Sequence, residues 1–489
     1  MSPASHIIGR EKEQALLTQL LNSKKSEFLA IIGRRRVGKT FLIKNFFDTP
    51  SNVFFYCAGE KKGTLKHHLK EFTAQIGKTF YDGAELSPYR NWRDAFEGLT
   101  KAIERLSNTK KIVLFIDELP WLATKRSGLL SAFDYYWNRY WSHSKNVKLI
   151  VCGSSASWIT EHIINNKDGL YNRITCSITL EPFTLKETKH FLLSAGLQLN
   201  HQQILDIYMV FGGIPHYLAL IRKGLSAYQC IDELCFQKGG ALIKEFSRLF
   251  ESLFNESNDY VALISAIAKH HDGIGQAKLI QEAGVSGGGT TISRLKELEE
   301  AGFILEFIPY GHQEKGVYYK VIDEFTLFYL RWMKPNLKTI LKQDKSVGYW
   351  LPKTKLPSYK SWAGYSFESI CYKHIAQIRK ALHIEAGAEV GSWRYVPRKS
   401  EESGTQIDLL FDRSDNVITI GEIKFSESPF VIDKTYAKNI ENKLTIYRKQ
   451  SGTKKQLFFA MISANGLKPT MYSEAIVDGG VVLLDDLFE

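Results

Sequence analysis

Short apolar runs alternate with longer amphipathic runs through the first 180 residues. The apolar runs cover 28–32, 53–56, 112–116 and 148–151. Each run is apolar almost throughout rather than alternating, which is typical of central strands covered on both faces. Helical periodicity fills the gaps between them. The pattern therefore predicts an α/β fold with a parallel sheet.

Beyond this region the pattern changes several times. Helical spacing alone runs from about 185 to 254, and three short helices followed by extended segments at 303–309 and 317–321 come next. A stretch punctuated by prolines then leads into a final α/β region. The predicted parts are a parallel-sheet core (1–182), a helical lid (183–256), a helix-and-hairpin segment (257–330), a linker (331–360) and a C-terminal α/β domain (361–489).

Length and composition agree with several folded domains. The chain has 489 residues, 44% of them hydrophobic and 24% charged, so disorder is excluded. Its 64 basic and 52 acidic residues give 64 − 52 = +12, a balance that fits a polyanionic partner such as nucleic acid, although a nucleotide site also collects positive charge. The six cysteines form no C-x-x-C pair, and no long apolar segment occurs. A cytoplasmic protein without membrane contact is expected.

Residues 33–40 supply the strongest chemical signal. They match the pattern G-x-x-x-x-G-K-[ST] in full, directly after one apolar run and at the start of a helical run. The glycines let consecutive backbone N–H groups surround phosphate oxygens. We expect ATP to bind here, with Lys39 at the β- and γ-phosphates and Thr40 holding Mg²⁺. The predicted nucleotide contacts are Gly33, Arg34, Arg35, Arg36, Val37, Gly38, Lys39, Thr40 and Phe41.

Further candidates for ATP hydrolysis follow the next strands. Asp117 and Glu118 end the apolar run 112–116, where a carboxylate is costly unless it meets a cation. Asp117 is predicted to bind Mg²⁺ and Glu118 to act as the general base. Ser154 ends another strand and is a candidate γ-phosphate sensor, with a plain Gly/Ser turn as the alternative. Arg173 is a candidate transition-state arginine, or else a surface arginine.

A family resemblance adds to these candidates. Residues 6–13 resemble the h-h-G-R-E-x-E motif that opens the STAND branch of AAA+ ATPases, and Gly213-Ile214-Pro215 resembles its G-x-P motif. The arginine-rich loop and the run 115–118 resemble the archaeal-type ATPase family. The resemblance implies that Gly9 and Arg10 line the adenine side and that Pro215 couples nucleotide state to domain position. It also allows a homo-oligomer formed on ATP binding.

The middle of the chain resembles a second known arrangement. Helical runs at 260–269, 276–283 and 290–301 followed by two extended segments resemble a winged helix-turn-helix, which reads DNA in some proteins and is a spacer in others. The linker at 331–360 then carries eight basic residues, one acidic residue and interleaved aromatics. It is predicted to be solvated, or to contact phosphates and bases.

The C-terminal region contains a carboxylate pattern. Asp408 precedes Glu422 by fourteen residues, and Lys424 follows on the same predicted strand face. The set resembles the PD-(D/E)XK nuclease superfamily, although Gln406-Ile407-Asp408 replaces the Pro-Asp of that motif. Glu368 matches the acidic residue on the first helix of that fold. The resemblance implies that Glu368, Asp408 and Glu422 bind Mg²⁺ or Mn²⁺ and that Lys424 stabilises developing charge. An ordinary solvated strand face is the alternative.

These patterns together predict an ATP-hydrolysing STAND-type switch coupled to a metal-dependent nuclease-like domain. The expected cofactors are ATP and Mg²⁺, and the expected partner is nucleic acid, with DNA favoured over RNA. Defence or DNA maintenance is suggested by analogy. The competing hypothesis is an ATP-gated binding or regulatory protein whose terminal domain does not cleave.

Overall fold

The computed structural model describes residues 7–106, 110–124, 126–165, 173–308, 316–342, 348–395 and 404–489. Its first part is a five-stranded parallel sheet in the order β2-β3-β4-β1-β5. The strands are β1 (Glu27–Ile32), β2 (Asn52–Ala58), β3 (Lys111–Asp117), β4 (Val147–Cys152) and β5 (Cys176–Thr179). The helices are α1 (Glu11–Asn22), α2 (Lys39–Phe47), α3 (Leu65–Phe80), α4 (Trp92–Glu104), α5 (Leu119–Leu122), α6 (Leu129–Arg139) and α7 (Ala156–Ile159). The predicted parallel α/β arrangement is confirmed.

Burial on both faces explains why these strands are apolar throughout. In β1, Leu29 and Ile31 pack into one hydrophobic core, whereas Phe28 and Ala30 pack into a second core on the opposite face. Successive side chains of a strand point to opposite faces of the sheet. When both faces are covered, every side chain of the strand is buried, and apolar residues are favoured throughout. The carboxyl ends of β1, β3 and β4 consequently meet at one edge of the sheet, where a ligand site is expected.

A helical layer follows the sheet, as predicted. Its helices are α8 (Leu185–Ser194), α9 (His201–Phe211), α10 (Pro215–Leu218), α11 (Ala227–Cys235) and α12 (Glu245–Leu253). Capping boxes begin α8 at Thr184 with Glu187 and α9 at Asn200 with Gln203. These caps fix where the chain leaves the sheet and enters the lid.

The middle segment has three helices and a small antiparallel sheet in the order β6-β8-β7. Its elements are α13 (Ser257–Ile267), β6 (Ile274–Gly275), α14 (Gln276–Ala283), α15 (Gly289–Glu300), β7 (Ile304–Phe307) and β8 (Tyr318–Val321). Residues 309–315, which include the last residue of the first predicted extended segment, lie outside the described residues. The three helices and the two strands β7 and β8 follow in the predicted order, and the winged helix-turn-helix stays a prediction.

The stretch predicted as a solvated linker is instead largely helical and packed. It contains part of a π-helix (Tyr329–Met333), then α17 (Leu337–Lys342) and α18 (Trp350–Lys353), between α16 (Glu324–Phe328) and α19 (Pro357–Lys373). Trp332 and Tyr359 are buried against Trp350, with ring centroids 5.2 and 5.7 Å away. Buried rings cannot stack on bases, so the prediction that these aromatics contact nucleic acid is wrong. Lys345 lies outside the described residues.

The C-terminal part is a mixed five-stranded sheet in the order β15-β13-β11-β10-β9. Strands β9, β10 and β11 pair antiparallel, whereas β11, β13 and β15 pair parallel. After α20 (Ile375–Ala381), the elements are β9 (Glu389–Tyr395), β10 (Thr405–Asp412), β11 (Val417–Lys424), β12 (Phe430–Val431), α21 (Lys434–Ser451), β13 (Gln456–Ser463), β14 (Leu467–Lys468), α22 (Met471–Ile476) and β15 (Gly480–Leu483).

One hydrophobic cluster joins several parts of the chain. The largest hydrophobic cluster contains side chains from Ile7 to Phe488, including members of the sheet, the lid, the middle segment and α19. His374, which follows α19, accepts a hydrogen bond at Nε2 from the Leu185 backbone N–H of the lid at 3.0 Å. In the described stretches of the chain, no helix combines the length and apolarity needed to cross a bilayer.

Candidate nucleotide site and C-terminal carboxylate site

Residues 33–38 form a tight loop between β1 and α2. Gly33 and Gly38 adopt φ angles of +143° and +95°, in the region that favours glycine. A Cβ on Gly33 would lie 2.4 Å from the Leu180 carbonyl oxygen, so no side chain fits there. Gly38 has open space at the same position, and α2 begins immediately after it. The loop is thus a backbone cradle at a helix N-terminus, which suits phosphate oxygens.

Lys39 closes over this cradle. Only 7% of its surface is exposed, and its Nζ donates hydrogen bonds to the carbonyls of Gly33 at 2.7 Å and Arg34 at 3.0 Å. Burial lowers the pKa of Lys39 below its ordinary value. A buried ammonium that meets neutral acceptors gains strongly from an anionic oxygen, so the arrangement fits a triphosphate.

Thr40 and Asp117 meet across the carboxyl edge of the sheet. The Thr40 hydroxyl donates to Oδ2 of Asp117 at 2.7 Å. Asp117 is 4% exposed, and Cys152 Sγ donates to its Oδ1 at 2.6 Å. A hydroxyl and a carboxylate beside a phosphate cradle are the oxygen donors that Mg²⁺ prefers, and these residues therefore fit that ion.

Glu118 directly follows Asp117 in a constrained conformation. Its φ of +46° lies in the left-handed region that residues other than glycine seldom adopt. Its Oε2 accepts hydrogen bonds from both the backbone N–H and the hydroxyl of Ser154, each at 2.9 Å. The structure thus brings the predicted base and the predicted sensor into direct contact, at the same sheet edge as Lys39 and Thr40.

The residues of the proposed STAND motifs are Gly9, Arg10 and Pro215. Arg10 is 5% exposed, its Nη2 donates to the Val37 carbonyl at 3.4 Å, and its guanidinium lies 4.4 Å from the ring centre of Phe183. Gly9 has φ +67° and packs against Glu187 of α8. Pro215 begins α10. Arg10 therefore connects the loop to Phe183 at the start of the lid.

The loop arginines have different partners from those the motif suggests. The buried Arg34 side chain forms an ion pair with Asp323, which precedes α16, and Arg36 Nε lies 2.8 Å from Oε1 of Glu245 in the lid. Neither guanidinium is directed to a phosphate by these contacts. Arg35 is half-buried, and Phe41 is 55% exposed on the first turn of α2. Backbone contact with a nucleotide remains the prediction for these positions.

Arg173 is not brought to this site. Its side chain is exposed, and it precedes β5, whose Thr179 pairs with Ile32 at the carboxyl edge. Six residues of extended chain separate Arg173 from that edge, which is roughly 20 Å. Arg173 therefore lies toward the opposite edge of the sheet from the loop, and the described contacts give it no role in hydrolysis within its own chain.

A glycine-rich phosphate cradle, a buried lysine and a hydroxyl–carboxylate pair at the carboxyl edge of a parallel sheet define a P-loop nucleotide site. The comparisons with known proteins agree. Residues 7–221 match the family described as an ATPase domain predominantly from Archaea. This part of the chain is therefore similar to the archaeal-type ATPase domain.

Two relatives extend the comparison. A solved Walker-type ATPase of Pyrococcus abyssi is 22% identical, with a TM-score of 0.50, over 66% of this chain and 96% of that one. It shares the fold. An uncharacterized protein of Methanocaldococcus jannaschii is 26% identical over 425 residues, which are 86% of this chain and 88% of that protein. Similarity to this relative thus extends well beyond the ATPase domain.

The four C-terminal candidates do come together. Leu409 of β10 pairs with Gly421 of β11, which makes Asp408 and Glu422 neighbours on antiparallel strands. Oδ2 of Asp408 accepts from the Ile423 backbone N–H at 3.1 Å. Lys424 Nζ lies 2.8 Å from Oε1 of Glu422. Glu368, on α19 beside β11, is close enough for the charge of Asp408 to act on it.

Burial and mutual charge shift the pKa values of this cluster. Burial, followed by the charge of Asp408, raises the pKa of Glu368 to about 7. Burial, followed by the charge of Glu422, raises the pKa of Asp408 to about 6. Burial alone would raise the pKa of Glu422 as well, but Lys443 and Lys424 outweigh it and lower that pKa. Glu422 is therefore the stably ionised member of the cluster.

The predicted metal site is not formed in this arrangement. Lys424 occupies Oε1 of Glu422, Lys443 lies 2.5 Å from Oε2, and the Tyr436 hydroxyl donates to Oε1 at 2.8 Å. Within the ranges that the structure describes, no three side chains of His, Cys, Asp or Glu are placed to hold a metal ion together. Glu368, Asp408 and Glu422 therefore do not fit a metal ion as they stand, because two ammonium groups already hold the carboxylate of Glu422.

Sequence reasoning missed three residues of this cluster. Lys443 and Tyr436 belong to α21, where several lysines are spaced along a mostly polar helix and none is singled out by a motif. Lys320 comes from β8 of the middle segment, and the charges of Glu368 and Asp408 both act on it. Its separation from them along the chain leaves no local signal.

Proposed function

We propose that the chain is an ATP-hydrolysing switch of the STAND type, in which the nucleotide state of the N-terminal site controls a nuclease-like C-terminal domain acting on nucleic acid. The observation that carries the proposal is the convergence of Lys39, Thr40–Asp117 and Ser154–Glu118 on one phosphate cradle. These contacts place the groups proposed for ATP binding and the groups proposed for hydrolysis at the same edge of the sheet.

Each residue of the cradle has a distinct task. When bound, Mg²⁺ and ATP would supply the divalent charge and the phosphoanhydride bond that is hydrolysed. The loop N–H groups and Lys39 bind the phosphates, whereas Thr40 and Asp117 hold the metal ion. Glu118 accepts the proton of the attacking water at its carboxylate. Ser154 fixes that carboxylate through Oε2, which makes it sensitive to what occupies the γ-phosphate position.

Ion pairs also connect the phosphate loop to the rest of the chain. Arg36 contacts Glu245, and Glu245 accepts a hydrogen bond from the Tyr217 hydroxyl at 2.9 Å. Tyr217 follows Pro215 by two residues. Arg34 contacts Asp323 of the middle segment in a buried ion pair. A change in the loop therefore reaches the lid through the Arg36–Glu245 pair and the middle segment through the Arg34–Asp323 pair. This supports domain repositioning on nucleotide exchange.

The C-terminal assignment rests on the sheet and its charged cluster. Asp408, Glu422 and Lys424 occupy neighbouring strands of a mixed sheet with Glu368 on an adjoining helix, the arrangement that the nuclease resemblance implies. The net charge of +12 suits a nucleic acid partner, DNA before RNA. In this proposal the middle segment (257–330) is a winged helix that joins the ATPase core and lid (1–182 and 183–256) to the terminal domain (361–489).

ATP binding and turnover test the switch. Lys39→Ala should abolish ATP binding measured by calorimetry, and Glu118→Gln should bind ATP but lose turnover measured by phosphate release. Lys12→Ala, an exposed lysine on α1, is the control and should behave as wild type. Wild-type binding by Lys39→Ala, or wild-type turnover by Glu118→Gln, would refute the assignment.

A second candidate function is an ATP-gated binding protein that does not cleave. It is favoured by the ammonium groups that already hold Glu422 and by the lack of a three-ligand metal group among the described side chains. The full chain would be incubated with DNA and RNA, with Mg²⁺ or Mn²⁺, and with or without ATP. Cleavage by wild type but not by Lys424→Ala supports a nuclease. Substrates left equally intact by both proteins support the second candidate.

A further inference from the structure

Lys320 places a cation from the middle segment inside the C-terminal cluster. It lies on β8, is 8% exposed, and its Nζ sits 3.6 Å from the ring centre of Tyr372 on α19. The Tyr372 hydroxyl donates a hydrogen bond to the backbone carbonyl of Asp408. One tyrosine therefore joins the lysine to the strand that carries the carboxylate.

The surroundings of Lys320 leave little room for anything else. Lys320 and Glu368 line the same cavity of about 20 Å³, together with His271 and Tyr365, whose rings stack at 3.8 Å. That volume is close to the space of a single water. Burial lowers the pKa of Lys320, and the negative charges of Glu368 and Asp408 oppose that effect. These negative charges offset part of the free energy that burying the ammonium costs.

We propose that Lys320 is an internal cation that takes the place of a divalent metal ion beside Glu368 and Asp408 and keeps the C-terminal site closed. The inference deepens the proposed function, on which it rests, by naming how the terminal site is held inactive. Together with Lys424 and Lys443, which hold Glu422, Lys320 accounts for carboxylates that come together without forming a metal-binding group. Withdrawal of β8 would remove this positive charge from the neighbourhood of the two carboxylates.

The chain around Lys320 links this site to the nucleotide loop. Asp323, three residues further on, pairs with Arg34 of the phosphate cradle. Glu324, the next residue, forms an ion pair with Lys373, whose Nζ lies 2.6 Å from Oε1. Lys373 follows Glu368 by five residues on α19. Three residues of chain span at most about 10 Å, so we expect a movement of Asp323 to displace Lys320.

Arg34 is suited to release this connection. Two of its nitrogens, Nε and Nη2, are buried without a hydrogen-bond partner among the described residues. Unpaired buried donors are costly, so a rearrangement of the loop that offers them acceptors is favoured. Nucleotide binding in the cradle is the event that rearranges this loop. A purely structural counter-ion at Lys320 would instead stabilise the fold and leave metal affinity unchanged.

Metal affinity of the full chain tests the proposal. Mn²⁺ binding would be measured by calorimetry for nucleotide-free wild type, Lys320→Met and the charge-preserving Lys320→Arg. Removing the repulsive charge should tighten Mn²⁺ binding by roughly tenfold or more, whereas Lys320→Arg should resemble wild type. Lys296→Met, an exposed lysine of α15, is a matched control. Equal or weaker Mn²⁺ binding by Lys320→Met would overturn the proposal.

Two further arms locate the effect. Adding Asp408→Asn to Lys320→Met should abolish the gained affinity, because it removes a carboxylate of the C-terminal site. The N-terminal metal site is the same in both variants. Retention of the gain would place the new Mn²⁺ site elsewhere and overturn the inference. Circular dichroism checks the fold, and Lys320→Gln replaces Lys320→Met if the latter does not fold.

A non-hydrolysable ATP analogue completes the test. Once bound, it should tighten Mn²⁺ binding to the C-terminal site of wild type and leave Lys320→Met nearly unchanged. Analogue binding without an effect on wild type would refute the link to nucleotide. Failure of the analogue to bind at all would instead refute the proposed ATP switch, and the comparison of Lys320→Met with wild type would still decide the role of the lysine.

Discussion

The ion pair between Arg34 and Asp323 allows a quantitative prediction, because it joins the phosphate loop to the segment that leads to Lys320. Both side chains are almost completely buried, at 4% and 1% exposure. Arg34 also lies 5.0 Å from the ring centre of Phe303. Asp323 caps α16 by accepting the Thr326 backbone N–H at 2.9 Å. Arg34→Met removes the charge while keeping most of the apolar volume.

The expected loss of stability follows from the carboxylate that Arg34→Met leaves without its partner. Arg34→Met leaves the Asp323 carboxylate buried with the helix cap as its remaining support, and breaking a buried pair in this way costs about 3–5 kcal/mol. At roughly 2–4 °C per kcal/mol for a cooperative unit of 150–250 residues, the unfolding temperature should fall on the order of 10 °C. Adding Asp323→Asn, which keeps a capping side chain, should restore much of the loss.

Differential scanning calorimetry of the single and double variants measures this coupling. Arg35→Met changes a half-buried arginine of the same loop and should shift the transition by only a degree or two. A shift equally small for Arg34→Met would show that the pair contributes little. Strict additivity of Arg34→Met and Asp323→Asn would show that the two residues do not interact.

Two other sites give independent predictions. Burial lowers the pKa of His374 to about 4, so the stability that neutral His374 contributes is present above about pH 6.5 and is lost as pH falls toward 4. Wild type should therefore lose about 2 kcal/mol more than His374→Gln between pH 7 and 5 in denaturant titrations, and parallel curves would contradict this. Glu422→Gln leaves Lys424 and Lys443 without their shared carboxylate, so unfolding should become easier by about 3–5 kcal/mol, with an unchanged melting temperature as the contrary result.

The sequence was most informative where chemistry and backbone are local. The phosphate loop is readable because each glycine answers a backbone requirement within a few residues, as the close approach of Gly33 to Leu180 shows. The apolar runs 28–32 and 112–116 identified central strands because both of their faces are covered. Asp408, Glu422 and Lys424 could be grouped because adjacent antiparallel strands bring near neighbours in sequence together.

What could not be predicted depends on long-range packing. Arg34 and Arg36 read as phosphate ligands within the loop, yet their partners are Asp323 and Glu245, which no local pattern identifies. The aromatics of the presumed linker, such as Trp350, read as exposed because basic residues surround them, whereas helices bury them. Arg173 was a candidate transition-state arginine, but strand direction puts it toward the far edge of the sheet.

Hydrogen exchange measured by mass spectrometry, with and without a non-hydrolysable ATP analogue and Mg²⁺, tests the central claim most directly. The account predicts that residues 33–40 become protected and that exchange changes at the same time in β8 and α19, which carry Lys320 and Glu368. Lys39→Ala should show neither change. Protection confined to the loop, with unaltered exchange in β8 and α19, would contradict nucleotide control of the C-terminal site.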